Sequence, residues 1–190
     1  VTQSRANPGK NLLWASGAVL ASQMMLGRIL VWSAAIAPVL LQRLWPAMLL
    51  WLVWGLLVAF WLTRRDTSEA QPVSVQNPLQ LQSALLFAGV YALVKLLARA
   101  GLEVFGSAGV FVVSAFSGVA DVDAITLSLA RLAANEQLMA SVASIAIVVA
   151  ALSNTVFKTA LSFGAKGLGA YVALGLIPGD VLALLVLLLI

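Results

Sequence analysis

The chain has 190 residues, of which 62% are hydrophobic and 9% charged, and its formal net charge is +4. A soluble domain carries about 25% charged residues, so this composition excludes a compact soluble fold. Cysteine and histidine are both absent, which excludes disulfides, thiolate or imidazole metal sites, cysteine nucleophiles and histidine bases. No basic tail accompanies the net charge, so nucleic acid is not an expected partner.

Apolar stretches of about 20 residues recur along the chain, each long enough to cross a hydrocarbon core of about 30 Å. They predict an all-α, polytopic transmembrane helical bundle of about six segments, because no alternating strand segments occur. We divide the chain into a polar lead-in (1–10), a two-helix membrane portion (11–62), a polar loop (63–78) and a four-segment membrane core (79–190).

The first two segments are predicted at 11–37, ending before Pro38, and from about Trp45 or Pro46 to Leu62. Arg28 interrupts the first apolar stretch, which favours a retained helix over a cleaved signal peptide. The third segment is predicted at 79–101. Its small and polar residues recur at positions 80, 84, 88, 91, 95 and 99, and we expect this stripe to face the bundle, since lipid does not favour it.

Segments four and six are predicted to be broken. In segment four, two short apolar runs at 107–120 and 124–134 flank Asp121 and Asp123, and in segment six (168–190) Pro178-Gly179-Asp180 separates two pieces of about ten residues. Segment five, at 137–162, carries a second small and polar face at positions 141, 144, 148, 151, 155, 158 and 162.

Six charged residues fall inside the predicted spans, where an acidic residue costs roughly 2.5–3.5 kcal/mol on insertion scales. Three are basic and three acidic, so they can neutralise one another: Arg28, Lys95, Lys158, Asp121, Asp123 and Asp180. One interpretation is a polar cavity or ion path between the helices. The other is a set of structural ion pairs that fixes the helix register.

The acidic pair of segment four has its own structural alternative, because Asp is a favoured helix N-cap and Asp123 precedes a plausible helix start. However, a broken membrane helix leaves carbonyls unpaired, which is tolerated only inside protein or beside a water-filled cavity. Transporters place ion sites at such breaks. We therefore predict an ion path in which the principal residues are Asp121, Asp123, Asn154, Lys158 and Lys95, and the secondary residues are Asp180, Arg28, Thr155 and Gly118.

Asn154 and Lys158 are four residues apart and share one face of segment five. Asn154 can complete a cage of oxygen ligands, and Lys158 can act as the counter-ion of the acidic pair. The alternative for a single membrane asparagine is a hydrogen bond that holds two helices together. The sequence leaves both roles open.

Several stretches carry a resemblance to a known family. They are Ala15-Ser-Gly-Ala-Val-Leu-Ala-Ser, Asn77-Pro-Leu-Gln-Leu, Ser117-Gly-Val-Ala-Asp-Val-Asp-Ala-Ile-Thr-Leu-Ser and Ser153-Asn-Thr-Val-Phe-Lys. Together they resemble the membrane family described as domain of unknown function 4010. They are also similar to the C-terminal half of longer proteins whose N-terminal half is an MgtC/SapB-type membrane domain, linked to magnesium homeostasis and virulence. The resemblance implies that this chain, which begins without Met, is part of a longer protein, with an MgtC/SapB-type domain or a like subunit as partner.

The residues favour a transporter or channel-like module for a small ion. Mg²⁺ is a candidate because only oxygen ligands are available and Mg²⁺ needs one or two carboxylates, here Asp121 and Asp123. The alternative is a non-transporting regulatory or assembly module that binds another membrane protein. No cofactor and no enzymatic activity are expected. An aspartic hydrolase with two carboxylates is disfavoured because Ile177 stands where such proteases require Gly.

The predicted location is integral to the membrane, namely the bacterial inner (cytoplasmic) membrane. If the segments cross six times, both termini lie on one side. Basic residues on that side are Arg5, Lys10, Arg64, Arg65 and Arg131, and those on the other are Arg43, Lys166 and Arg99. The positive-inside rule then favours cytoplasmic termini.

Overall fold

The computed structural model describes residues 11–65, 81–164 and 167–189, with the side chains of 81–87 and 90 excepted. These ranges are all-helical. The helices are α1 (Asn11–Ile36), α2 (Pro38–Arg65), α3 (Leu81–Ala120), α4 (Val122–Ala134), α5 (Ala140–Ser162) and α6 (Gly169–Leu189). The predicted lead-in and most of the predicted polar loop lie outside the described residues.

Five helical stretches are long and apolar enough to cross a membrane: Asn11–Ile36, Pro38–Arg65, Tyr91–Ala120, Ala140–Ser162 and Gly169–Leu189. Large hydrophobic side chains remain on their outer surfaces, including Phe105, Phe116 and Leu189. Such a surface is stable against lipid and not against water. The chain is therefore an integral membrane protein, and α4, with 13 residues, is the one short helix among those described.

The second helix begins at Pro38, several residues before the predicted start at Trp45 or Pro46. Proline is favoured in the first helical turn, where its missing N–H is not needed. Ala37 joins α1 to α2, and its carbonyl accepts a hydrogen bond from the N–H of Leu40 at 2.8 Å. Pro46 lies inside α2, so proline marks a helix start at one position and not at the other.

Helix α3 reverses direction at Gly106, whose backbone angles (φ 60°, ψ −146°) are not helical. Eight residues of straight helix would separate Gly101 from Gly109 by about 12 Å. Instead the Gly101 carbonyl lies against Gly109, where an added Cβ would overlap it. The parts of α3 before and after Gly106 therefore form a tight helical hairpin, as expected from the predicted boundary between segments three and four. The stretch Tyr91–Ala120 is thus apolar and long enough to cross the membrane but is not one straight span.

Helix α6 continues without interruption through Pro178, so the predicted division of segment six at Pro178-Gly179-Asp180 was wrong. A proline leaves the carbonyl four residues earlier without its N–H donor. Here that carbonyl belongs to Leu174, and the indole N–H of Trp54 on α2 donates to it at 3.1 Å. The neighbouring helix thus replaces the lost bond, and α6 need not break.

The core lies between α1, α2 and α6 on one side and α3, α4 and α5 on the other. Each described helix packs against several others, and α4 contacts α1, α3 and α5. Fully buried side chains include Leu26, Trp51, Ile125 and Ile147. This packing surrounds the start of α4 with three helices.

The polar stripes of segments three and five differ in their environment. On α5, the predicted face is largely buried, with Ser144, Val148, Ala151, Thr155 and Ser162 inside the bundle. On α3, three of the described stripe residues, Ala88, Lys95 and Arg99, are exposed, and only Tyr91 is partly buried against the core, so that expectation was wrong for most of the stripe.

The buried face of α3 carries Val94 and Ala98 instead. Compact apolar side chains let α3 approach α5 closely, whereas Lys95 and Arg99 are too long and polar to fit there without partners.

Candidate functional site

A single non-helical residue, Asp121, separates α3 from α4. Its backbone is extended (φ −160°, ψ 116°), and its carboxylate accepts a hydrogen bond from the N–H of Asp123 at 2.8 Å. This is an N-cap, which supplies a partner for an orphan N–H of the first turn. The sequence favoured Asp123 as the cap, whereas the structure places the cap two residues earlier, at Asp121. Helix α3 ends at this point, and the Asp121 N–H donates to the Ser117 carbonyl at 2.8 Å.

Asp123 lies in the first turn of α4 and forms an ion pair with Arg28 of α1. The Arg28 Nη1 atom is 2.9 Å from Asp123 Oδ2, and the side chains are 61% and 12% exposed, respectively. The other oxygen, Asp123 Oδ1, is buried and has no hydrogen-bond partner among the described residues. Arg28, predicted as a secondary residue, is therefore the direct counter-ion of the acidic pair.

Lys158 approaches the same place from α5. Its side chain is half-buried and interacts electrostatically with both Arg28 and Asp123. Within the described part of the chain it forms no ion pair closer than 4 Å. Two acids, Asp121 and Asp123, thus meet two bases, and the formal charges of the junction cancel.

Asn154 connects α5 to the end of α3. Its amide nitrogen donates to the Gly118 carbonyl at 2.8 Å, a carbonyl that a continuous helix would pair with residue 122. The approach is close, since an added Cβ at Gly118 would overlap the Ala150 carbonyl. Asn154 therefore caps the broken helix, as in the structural alternative. Its other atom, Oδ1, is buried and lacks a partner among the described residues.

The remaining predicted site residues lie elsewhere. Lys95 is exposed on α3 and belongs to neither described ion pair, so the structure does not bring it to the acidic pair. Thr155 and Asp180 lie next to each other between α5 and α6, both at 1% exposure. The junction thus unites six of the nine predicted residues: Asp121, Asp123, Asn154, Lys158, Arg28 and Gly118.

A polar residue that sequence reasoning missed is Gln23. It is 4% exposed, its amide lies against Gly55 of α2, and neither amide atom has a partner among the described residues. Gln23 and Arg28 line a groove of about 610 Å³ between α1 and α2 whose other walls are mainly apolar. The sequence feature that could have identified Gln23 is its polar amide side chain within an apolar segment, five residues before Arg28.

The junction holds few metal ligands. Across the described ranges no three or more residues of the types His, Cys, Asp and Glu are grouped so that they could hold a metal ion. Of the described residues that form the junction, two carry a buried oxygen without a partner, namely Asp123 Oδ1 and Asn154 Oδ1. An ion in this place would therefore meet few protein oxygens and would keep part of its hydration shell.

Comparisons with known proteins give a family and no activity. No solved structure matches the chain. An uncharacterised protein of Aquifex aeolicus (strain VF5) is 36% identical over 109 residues, which are 56% of this chain and 47% of that protein. The chain thus spans about half the length of this relative. The sequence model of "Domain of unknown function (DUF4010)" matches residues 1–165, and the chain belongs to that family.

Proposed function

We propose that this chain is a transport module for a small cation, with its site at the junction of α3 and α4. The observation that carries the proposal is the Asp123 carboxylate, which is buried at a helix break with one oxygen paired to Arg28 and the other unpartnered. Charged groups at membrane depth are costly and commonly mark ion pathways. Helix breaks are common places for such sites in transporters.

In the proposed mechanism, Arg28 and the transported cation alternate as partners of Asp123. While Arg28 and Lys158 balance the charges of Asp121 and Asp123, the junction is neutral. A transported cation then gains little electrostatic free energy by binding. The Arg28 side chain is 61% exposed, and Arg28 is one of the residues that line the groove between α1 and α2. Its withdrawal into this groove would leave Asp123 and Asn154 with free oxygens for the incoming ion.

Mg²⁺ is the first cation to test, because carboxylate and amide oxygens are ligands that Mg²⁺ accepts. Its tendency to retain waters fits a site with two free protein oxygens. The proposed partner is an MgtC/SapB-type membrane domain or a like subunit, and the proposed location is the bacterial inner membrane with cytoplasmic termini. The proposal assigns no enzymatic reaction to the chain.

The test is a flux assay on the full-length protein in liposomes loaded with a Mg²⁺-sensitive dye. Asp123→Asn removes the exchangeable carboxylate and should abolish uptake. Asp121→Asn is the matched control, because asparagine caps helices about as well as aspartate and Asp121 is committed to its cap. It should retain most of the uptake.

Three results would contradict the proposal. They are no Mg²⁺ or proton flux above that of empty liposomes, equal flux in the Asp123→Asn variant, or equal loss in both variants. If protons cross the membrane and Mg²⁺ does not, the proposed transport function stands and the proton takes the place of Mg²⁺ as the transported cation. Size-exclusion chromatography of each variant shows that a loss of flux is not a loss of folding.

A second candidate function is an assembly module, which the outer surface of α3 supports. Lys95, Arg99 and Glu103 recur every four residues there and are exposed, and Arg99 pairs with Glu103 at 2.9 Å. A charged row on a membrane-spanning surface is unfavourable against lipid, and a partner helix would cover it. Cross-linking at Lys95 to another membrane protein, together with absent flux, would favour this function.

Water access separates the two candidates, and the cysteine-free chain suits the experiment. Single cysteines replace Asn154 and Lys158, with fully buried Ile147 and lipid-facing Val156 as controls on the same helix. A polar thiol reagent should modify positions 154 and 158 and neither control. If positions 154 and 158 stay unmodified in the folded protein, the junction is dry and transport through it is excluded.

A further inference from the structure

Asp180 on α6 is a buried acid that the junction does not use. The residue is 1% exposed, and neither carboxyl oxygen has a hydrogen-bond partner among the described residues. Thr155 of α5 lies beside it, but its hydroxyl donates to the Ala151 carbonyl at 2.9 Å. The preceding Gly179 packs against the indole ring of Trp51 on α2, including its Nε1 atom, but within the described part of the chain that N–H does not bond to the Asp180 carboxyl.

Among the residues that the structure describes, no charged group compensates Asp180. The helices packed against α6 are α1, α2 and α5, and their described parts contain no other acid. Their basic groups are engaged or distant. Arg28 pairs with Asp123, Lys158 interacts with Asp123 and Arg28, Arg64 and Arg65 lie over the rings of Phe60 and Trp61, and Arg43 is eight residues, or about 12 Å of helix, from Trp51.

An ionised carboxylate without a partner in such surroundings is prohibitively costly, so the group must hold a positive ion. A metal cation needs several oxygen ligands at once, and the neighbouring Thr155 supplies one. A proton needs a single carboxyl oxygen. We propose that Asp180 is a proton-binding site inside the membrane domain, separate from the Arg28–Asp123 pair and independent of whether the chain transports a metal cation.

A row of hydroxyls leads away from this site. Thr155, Thr159 and Ser162 share one face of α5 and are buried at 1%, 6% and 4% exposure. The Thr159 hydroxyl oxygen has no partner among the described residues. Ser162 is the last residue of α5. The Thr155 and Ser162 hydroxyls donate to the Ala151 and Thr159 carbonyls of their own helix, so among the described residues the row forms a polar face between Asp180 and the end of the helix and not a chain of hydroxyl–hydroxyl bonds.

The experiment uses the full-length protein in liposomes and two readouts. Infrared difference spectroscopy detects the C=O stretch of a protonated carboxylic acid. Dicyclohexylcarbodiimide, an apolar reagent, modifies protonated carboxyls, and mass spectrometry locates the adduct. We expect a protonated-acid band that disappears in Asp180→Asn and persists in Asp123→Asn, the same substitution at the ion-paired acid. Adduct formation at Asp180 should fall at least about tenfold from mildly acidic to alkaline buffer, following the protonated fraction.

The outcomes that overturn the proposal are distinct. A band that survives in Asp180→Asn, or no band at any pH, shows that Asp180 holds no proton. Protection of Asp180 from the reagent by Na⁺, K⁺ or Mg²⁺ shows that a metal cation is the occupant. If Asp180→Asn does not fold, Asp180→Glu keeps the test, because its band should remain but shift in frequency. Absence of both Mg²⁺ flux and proton flux would overturn the proposed function alone and would leave the proton-binding site at Asp180 untouched.

Discussion

The indole N–H of Trp54 donates a 3.1 Å hydrogen bond to the carbonyl of Leu174, across 120 residues of sequence. Leu174 precedes Pro178 by four residues, so its carbonyl is the one that the proline leaves without a helical donor. An unpaired carbonyl in a membrane costs several kcal/mol. This single contact therefore joins α2 to α6 and keeps α6 continuous past its proline.

Replacing Trp54 with Phe should lower the unfolding free energy by about 1–3 kcal/mol, because it leaves the Leu174 carbonyl of a membrane-spanning helix without a hydrogen-bond donor. Pro178→Ala restores an N–H that can bond to Leu174 within the helix. The loss caused by Trp54→Phe should therefore be clearly smaller in the Pro178→Ala background. Thermal unfolding in detergent measures both, and an equal loss in the two backgrounds would assign the effect of Trp54 to packing alone.

The same contact explains one limit of sequence reasoning. Hydropathy and the length of the apolar stretches were enough to predict an all-helical membrane protein. The proline in α6 predicted a break because local rules contain no information on Trp54. The donor lies on another helix, and only tertiary packing brings it to Leu174.

The candidate site was predicted in its residues more fully than in its pairings. Local spacing grouped Asp121 with Asp123, between the two short apolar runs of segment four. It also grouped Asn154 with Lys158, on one face of segment five. It ranked Lys158 and Lys95 above Arg28, because spacing alone cannot show which of three compatible bases reaches the acidic pair. Helix rotation decides among them: α1 directs Arg28 to Asp123, whereas α3 directs Lys95 outward.

The cap of α4 gives a second prediction. Asp121→Ala removes the acceptor of the 2.8 Å bond from the Asp123 N–H and should cost about 0.5–2 kcal/mol of unfolding free energy. Asp121→Asn should cost much less, because it keeps a capping oxygen and loses only the charge. Equal losses in denaturant-induced unfolding would mean that the charge of Asp121, and not its cap, stabilises the junction.

The hairpin of α3 gives a third prediction. Gly106 has φ 60° and ψ −146°, a region almost restricted to glycine, so Gly106→Ala should cost about 1–3 kcal/mol through backbone strain. Gly89 on the same helix is the matched control, since an added Cβ meets no atom within 4 Å at either position. Gly89→Ala should be neutral or stabilising because alanine favours helix. Thermal unfolding of the two variants distinguishes the cost of backbone strain at Gly106 from any cost of fitting an added methyl group.

The Arg28–Asp123 pair gives the last prediction, and it is asymmetric. Arg28→Gln leaves a carboxylate that is 12% exposed, whereas Asp123→Asn leaves a guanidinium that is 61% exposed. The long Arg28 side chain can extend its free guanidinium toward the membrane interface, whereas the short Asp123 side chain cannot, so the first variant should lose more unfolding free energy than the second. Its loss should lie between the roughly 1 kcal/mol of an exposed pair and the roughly 3–5 kcal/mol of a broken buried pair.

The double variant should recover most of that loss, because no unpaired charge remains at Asp123. Lys158→Gln is the matched control, since Lys158 interacts with Asp123 only beyond ion-pair distance. Its coupling to Asp123→Asn should be smaller in the same double-mutant cycle. Additive losses for the Arg28 and Asp123 variants would remove Arg28 from the proposed exchange. A larger coupling between Lys158 and Asp123 would make Lys158 the counter-ion.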